Sequence, residues 1–185
     1  MVRTLARLTA VAVLAVPMAF IAAEPAGAST AVQTCAHVSG SATITPGITP
    51  TATDQVIKAK GSETTCTPST TTGGYGTLTA TIKVAQATCA KLASGGQVVY
   101  GTATSTWHNG TYTKYNIRLT TGTGAYALYA NVYGTVTAGR FYSSAVPRHL
   151  KGQIKFRVTS GACTATSPVK SIAFANTKAF VTYYG

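Results

Sequence analysis

The chain has 185 residues, with 15 Lys and Arg against 3 Asp and Glu and a formal net charge of +12. So few carboxylates exclude most acid–base enzymes. So one-sided an excess of cations favours polyanionic neighbours and also keeps a chain soluble and monomeric.

Arg3 and Arg7 precede an apolar run from Leu8 to Ala23, and Ala26-Gly27-Ala28 follows as a small-x-small cleavage signal. This is the pattern of a secretory signal peptide. Pro17 within the run and Glu24 behind it argue against a retained membrane helix. The first cysteine is Cys35, so no lipobox follows the leader. The expectation is a signal peptide over residues 1–28 and one secreted, extracellular domain over residues 29–185, without a membrane span. That length suffices for one domain with a real core. Its only acids are Asp54 and Glu63.

Beyond the leader, short runs alternate apolar residues with Thr, Ser or Lys at period two, between Gly and Pro clusters. They predict antiparallel strands at regular spacing. The first covers Ala36–Ile44, with Val38, Ala42 and Ile44 on one face, and Pro46–Pro50 turns the chain into Gln55–Lys60. After a Thr/Gly/Pro loop over Thr67–Gly76, the strand Thr77–Ala85 points Leu78, Ala80, Ile82 and Val84 inward. Lys91–Gly96 is a loop. Gln97–His108 and Thr111–Leu119 form a hairpin about Asn109-Gly110, the preferred two-residue type I′ turn. Tyr126–Thr137 follows, with Leu128, Ala130, Val132 and Val136 inward, and Arg140–Ala145 returns. Ile154, Phe156 and Val158 alternate with Lys155 and Arg157, and Val169–Ala175 and Ala179–Tyr184 are the last strands. The fold class is all-β: a single antiparallel β-sandwich, immunoglobulin-like or related, or alternatively a barrel. Cys89, Trp107 and Cys163 mimic the immunoglobulin Cys–Trp–Cys order only loosely, because Gly161 stands where the tyrosine corner would be.

Four cysteines in a secreted chain imply two disulfides with three possible pairings. A hairpin turning at Pro46–Pro50 brings Cys35 and Cys66 to its open end, within bonding range. Cys35–Cys66 with Cys89–Cys163 is therefore favoured, the other pairings staying open to a shifted turn. Each bridge should add about 2–4 kcal/mol. No C-x-x-C occurs, which argues against a zinc or redox site.

The alanine-rich leader, GTLTATIKVAQATC from Gly76, TWHNGTYT from Thr106, GTVTAGRF from Gly134 and Gly161-Ala162-Cys163 before Pro168-Val169 carry a resemblance. The chain resembles the small secreted actinobacterial β-proteins that have no assigned activity. The resemblance implies no catalytic residues.

Most enzymatic readings fail on inventory, although residues distant in sequence can still build a site. A glycosidase needs two carboxyl groups about one bond, whereas Asp54 and Glu63 would lie roughly 30 Å apart on an extended strand. His37, His108 and His149 stand in no G-x-S-x-G or H-E-x-x-H context. No catalytic residue, metal or cofactor is expected.

Two candidate binding features remain. Arg148, Lys151, Lys155 and Arg157 crowd a ten-residue stretch, either as a row for phosphate or sulfate polymers or as the solvated face of a strand. A two-residue Asn109-Gly110 turn sets Trp107 opposite Tyr112, on one face with Lys114 and Arg118 and away from Tyr115, Ile117 and Leu119. Such a patch can hold sugars or stacked bases, or be a cross-strand pair alone. Asn109-Gly110-Thr111 also spells a glycosylation sequon, for which turn chemistry is the better account. The functional expectation is a secreted, non-enzymatic protein that binds an anionic cell-envelope or extracellular polymer. The alternatives are a protein–protein module, such as an inhibitor or toxin component using Ala179–Tyr184 as an edge, or a structural wall or spore-coat protein. No specific nucleic acid partner is expected.

Intact-mass measurement of the secreted chain, with and without alkylation, is expected to give Ser29–Gly185 with no free thiol. A mass that includes the leader, or alkylation without reduction, would contradict this.

Overall fold

Runs in which every second residue is apolar favour extended backbone with one dry face and one wet face. In the computed structural model, which describes residues 31–184, they form eight strands: β1 (Ala31–Ile48), β2 (Thr53–Thr67), β3 (Gly76–Ala87), β4 (Val98–Trp107), β5 (Tyr112–Thr121), β6 (Tyr129–Gly139), β7 (Arg148–Ser160) and β8 (Val169–Tyr184). The leader and its cleavage signal lie outside the described residues. Each strand pairs antiparallel with its sequence neighbours, and β8 returns to β1 to close a barrel. The all-β expectation holds, in its barrel form rather than as a sandwich. Closure removes edges: the segment 179–184, expected to be one, is hydrogen-bonded to β1 on one side and β7 on the other.

Polarity follows the alternation. Along β3 Thr77, Thr79, Thr81 and Lys83 are exposed, while Leu78, Ala80, Ile82 and Val84 point inward. A lipid-facing barrel has the reverse arrangement. No helix among the described residues is long and apolar enough to cross a membrane.

Both favoured disulfides are present. The first hairpin turns at residues 49–52, slightly beyond the expected Pro46–Pro50, which sets Cys35 directly opposite Cys66 with a Cα separation of 4.0 Å. Cys89–Cys163 spans 5.7 Å between Cα atoms and ties the second of two short helices, α1 (Ser69–Thr72) and α2 (Cys89–Ser94), to the β7–β8 connection. Helix α2 replaces the expected loop, its first turn capped by the Thr88 side chain, which accepts from the Lys91 amide.

Three further elements differ from expectation. Residues 140–147 form a loop rather than a strand, and it delivers Phe141 into the core. Leu128 is exposed because it precedes β6 and escapes that strand's alternation. The two expected C-terminal strands are one, β8, interrupted by a register irregularity. There the Asn176 side chain takes the place of a ladder partner, accepting from the Val38 amide at 2.9 Å and donating to the Ala36 carbonyl at 2.7 Å.

The main correction concerns the Trp107 hairpin. Its loop has three residues, His108-Asn109-Gly110: the Trp107 amide donates to the Thr111 carbonyl, and the Gly110 amide to the Trp107 carbonyl. Gly110 adopts φ +81°, the left-handed position of a three-residue loop with a bulge. The Asn109 side chain accepts from both the amide and hydroxyl of Thr111. Tyr112 therefore pairs with Thr106, not Trp107. A one-residue slip moves a whole strand's side chains to the opposite face, so Trp107 is 3 % exposed instead of lying beside Tyr112. Its ring packs over Gly76 and edge-on to Phe141, and Nε1 donates to the Thr113 hydroxyl at 2.9 Å.

Trp107 should accordingly emit at short wavelength and resist iodide quenching. Trp107→Ala should destabilise the chain by about 3–5 kcal/mol in denaturant titration. Ready quenching with a loss under about 1 kcal/mol would contradict this burial.

Candidate functional site

The interior is hollow for a reason visible in the register. Ala42, Ala59, Ala80 and Ala103 stand opposite one another on β1 to β4, and Tyr115 on β5 continues the row. Four methyl groups cannot fill the space that leucine or phenylalanine would, and the filler is supplied unevenly. Phe174 leans over Gly40 and Gly61, while Trp107 and Phe141 close the end of the barrel near Cys35–Cys66. What remains is a cavity of about 180 Å³, walled by Ala80, Ala103, Ile82, Val84, Leu119 and Ile154 among others. It runs towards the opposite end, where Thr88, Lys91, Leu92, Gln97 and Thr121 line its mouth. Helix α2 forms part of this rim, held there by Cys89–Cys163 and by the Cys89 amide donating to the Thr49 carbonyl.

The floor is polar. Inward residues of β2 alternate Gln55, Ala59, Glu63, so strand periodicity alone carries a carboxyl group into the barrel, 4 % exposed. Ser105 from β4 and Tyr115 from β5 line the cavity beside it, and the buried Thr113 and Thr182 lie by the Tyr115 hydroxyl. Burial, the larger cause, pushes the Glu63 carboxyl up to about 7, and the neighbouring Ser105 hydroxyl pulls it back in part. The Tyr115 hydroxyl is pushed well above its ordinary range by burial first and by the nearby Glu63 charge second. Below neutral pH the floor therefore presents a largely uncharged acid and phenol, and the acid ionises as pH rises through about 7.

Buried polar groups in native proteins nearly always have partners, and most of those here do. Gln55 clasps Gly47, accepting from its amide and donating to its carbonyl, and Gln33 is bonded to Thr71 and Thr72. Glu63 Oε2 and Ser105 Oγ are different: although neighbours, neither makes a geometrically complete hydrogen bond. Two orphaned polar atoms at the end of an apolar cavity form the site that the sequence did not single out. The signal was present, since Glu63 falls in phase with the inward Ala59.

The residues expected to bind lie elsewhere. Tyr112, Lys114 and Arg118 are on the outside of β5, and Lys151, Lys155 and Arg157 on the outside of β7, with Arg148 half-buried. The register brings Arg118 and Lys151 to either side of Tyr133 on β6. Lys114 covers Tyr112, Arg148 covers Tyr184 and Lys155 covers Tyr129, each cation within 6 Å of its ring centre. Arg157 pairs with Ala173 farther along β7, and Trp107 is severed from the whole set. Asp54 is exposed and caps the Gln86 amide at 2.9 Å, so it is not a second carboxylate for the cavity. Among the described residues no group of three His, Cys, Asp or Glu side chains could hold a metal ion. Comparisons with protein-family models, curated proteins and solved structures find no match for the chain.

Folding stability should depend on pH through Glu63. Its folded value is raised, so its contribution is complete below about 4.5 and is lost as pH rises through about 7. The loss is roughly 3 kcal/mol over that interval. Glu63→Gln should flatten the profile in denaturant titrations from pH 4 to 8. A wild-type profile that is flat, or that rises with pH, would contradict a buried, uncharged Glu63.

Proposed function

We propose that the chain binds a small, neutral, mostly apolar molecule inside the barrel, holding the molecule's single acceptor oxygen at Glu63 and Ser105. One observation supports this above the rest: an apolar cavity that ends on two buried polar atoms without partners. Leaving such groups unpaired costs about 1–3 kcal/mol each, and a guest bearing a carbonyl, ester or ether oxygen would remove that cost. Engineered apolar cavities of about 150 Å³ hold benzene, so the guest is of the order of one ring or a short branched chain.

Electrostatics narrows the class. A cationic guest would have to approach a chain of net charge +12 and pass the exposed Lys91 at the mouth. An anionic guest would meet a low-polarity wall with no cation at the floor. A neutral molecule meets neither obstacle, and the protonated Glu63 is its hydrogen-bond donor. A binding role suits a cavity that is apolar along its length and ends on one carboxyl group, with the Ser105 hydroxyl beside it and a tyrosine held protonated. Secretion remains part of this proposal, and two disulfides suit an oxidising compartment.

Titration calorimetry with acetophenone, and with ethylbenzene as a partner of similar shape lacking the oxygen, tests the reading. Acetophenone should bind one to one and about three- to tenfold more tightly, as one neutral hydrogen bond allows. That advantage should fade above pH 7. Ala80→Leu, which fills the cavity, should abolish binding of both. Equal affinities would remove Glu63 and Ser105 from the site, and no saturable binding of either compound would overturn the proposal.

A further inference from the structure

The outside of the barrel carries a second pattern, independent of the cavity. Register partners on consecutive strands form a row across the sheet: Lys83 on β3 faces Tyr100 on β4, which faces Arg118 on β5, then Tyr133 on β6, then Lys151 on β7. Cation and phenol thus alternate over five strands, all five side chains exposed. Arg118 lies 5.4 Å over the Tyr133 ring, and Lys151 4.9 Å over Tyr183 in the adjoining row.

Beside this row is a shallow groove of about 350 Å³, lined by Tyr100, Arg118, Tyr133, His149 and Tyr183. Its base is the wall where Ile117, Gly134 and Leu150 pair in register on β5, β6 and β7. Arg118 and Lys151 have no carboxylate on their own or on the neighbouring strands. The only acidic side chains among the described residues are Glu63, buried inside, and Asp54, on the outer face of β2 two residues before Val56, the register partner of Lys83.

We propose that this row and groove bind a linear anionic polysaccharide carrying about one negative charge for every two sugar rings. The spacing supports that class. Strands lie about 4.7–4.9 Å apart, so cations on alternate strands recur at about 10 Å, comparable to the length of two linked sugar rings. Nucleic acid phosphates along a strand are far denser, about 3.4 Å of helical rise each. The tyrosines suit the same ligand: each offers an apolar ring to a sugar face and a hydroxyl to its rim. Strands in barrels tilt by about 35–45°, so the row runs obliquely along the wall as a gentle ramp.

This site goes beyond the interior one and is tested separately, by affinity electrophoresis of the folded chain through gels containing hyaluronan, neutral dextran or an oligodeoxynucleotide. Hyaluronan should retard the chain, dextran should not, and added salt should release it, because exposed charges are screened within about 10 Å at 0.1 M. Arg118→Ser with Lys151→Ser should weaken retention about tenfold. Lys170→Ser with Lys178→Ser, the same charge change off the row, should leave it nearly intact. Tyr100→Ser with Tyr133→Ser, which alters no charge, should weaken it as well. Circular dichroism checks that each variant keeps its fold. If the two lysine-and-arginine pairs lose retention equally, or the tyrosine pair loses none, the effect is net charge alone and the proposal fails. Tighter retention by the oligodeoxynucleotide than by hyaluronan would overturn it in favour of nucleic acid.

Discussion

The ladder between β1 and β8 decides whether an inside exists at all. These are the longest strands, 18 and 16 residues, and they pair from Ala31 with Tyr183 to Ile48 with Val169. Without that seam the chain would be an open, curling sheet with two exposed edges and its apolar face in water. With it, the inward residues share one enclosure and every strand has a partner on both sides. The seam is irregular, and the irregularity is managed chemically. Where the backbones part between Cys35 and Ser39, the Asn176 amide bonds across the gap. Cys35–Cys66 fastens β1 to β2 near the same end, so β1 is anchored on both flanks.

Within that enclosure, size decides what stays open. Eight-stranded barrels have interiors that side chains just fill or that hold one small ligand, and the balance here is set by a few positions. Phe174, Phe180, Trp107 and Phe141 occupy the sealed half, the first three over glycines that let the rings approach the wall. The alanine row on β1–β4 leaves the middle empty. The orphaned polar pair sits where filled and empty halves meet, which is why its atoms are both buried and within reach of a guest.

Much of the fold was legible because it depends on period and on pairing. The alternation of Leu78, Ala80, Ile82 and Val84 gave β3 its inner face, and the even cysteine count with hairpin geometry gave both disulfides. What failed depended on a single residue of register. Asn109-Gly110 favours a two-residue turn, but the Asn109 side chain reaches forward to Thr111 and lengthens the loop by one. Every side chain of β4 is thereby reversed, carrying Trp107 and Ser105 inward. Sandwich and barrel could not be separated, because local alternation is the same in both and only the distant β1–β8 pairing distinguishes them. Glu63 was weighed only as half of a carboxylate pair with Asp54, because the side to which a lone acid points is settled only when the strand's phase is fixed at both ends. The outer cations were seen, but their alternation with tyrosines runs across strands and has no trace along the chain.

The sealed end has a consequence for selectivity. Trp107, Phe141 and the Cys35–Cys66 bridge stop the barrel just beyond Glu63, while α2 stands at the rim of the mouth. A guest engaging the carboxyl group has its far end placed by its own length against a fixed rim. Too short a molecule leaves wall unwetted, and too long a one pushes its tail past Leu92 into water. If guests bind there as proposed, the barrel would act as a depth gauge: it would sort homologous compounds by how many carbons separate the oxygen from the tail, with the threshold set by where the Cys89–Cys163 bridge holds α2.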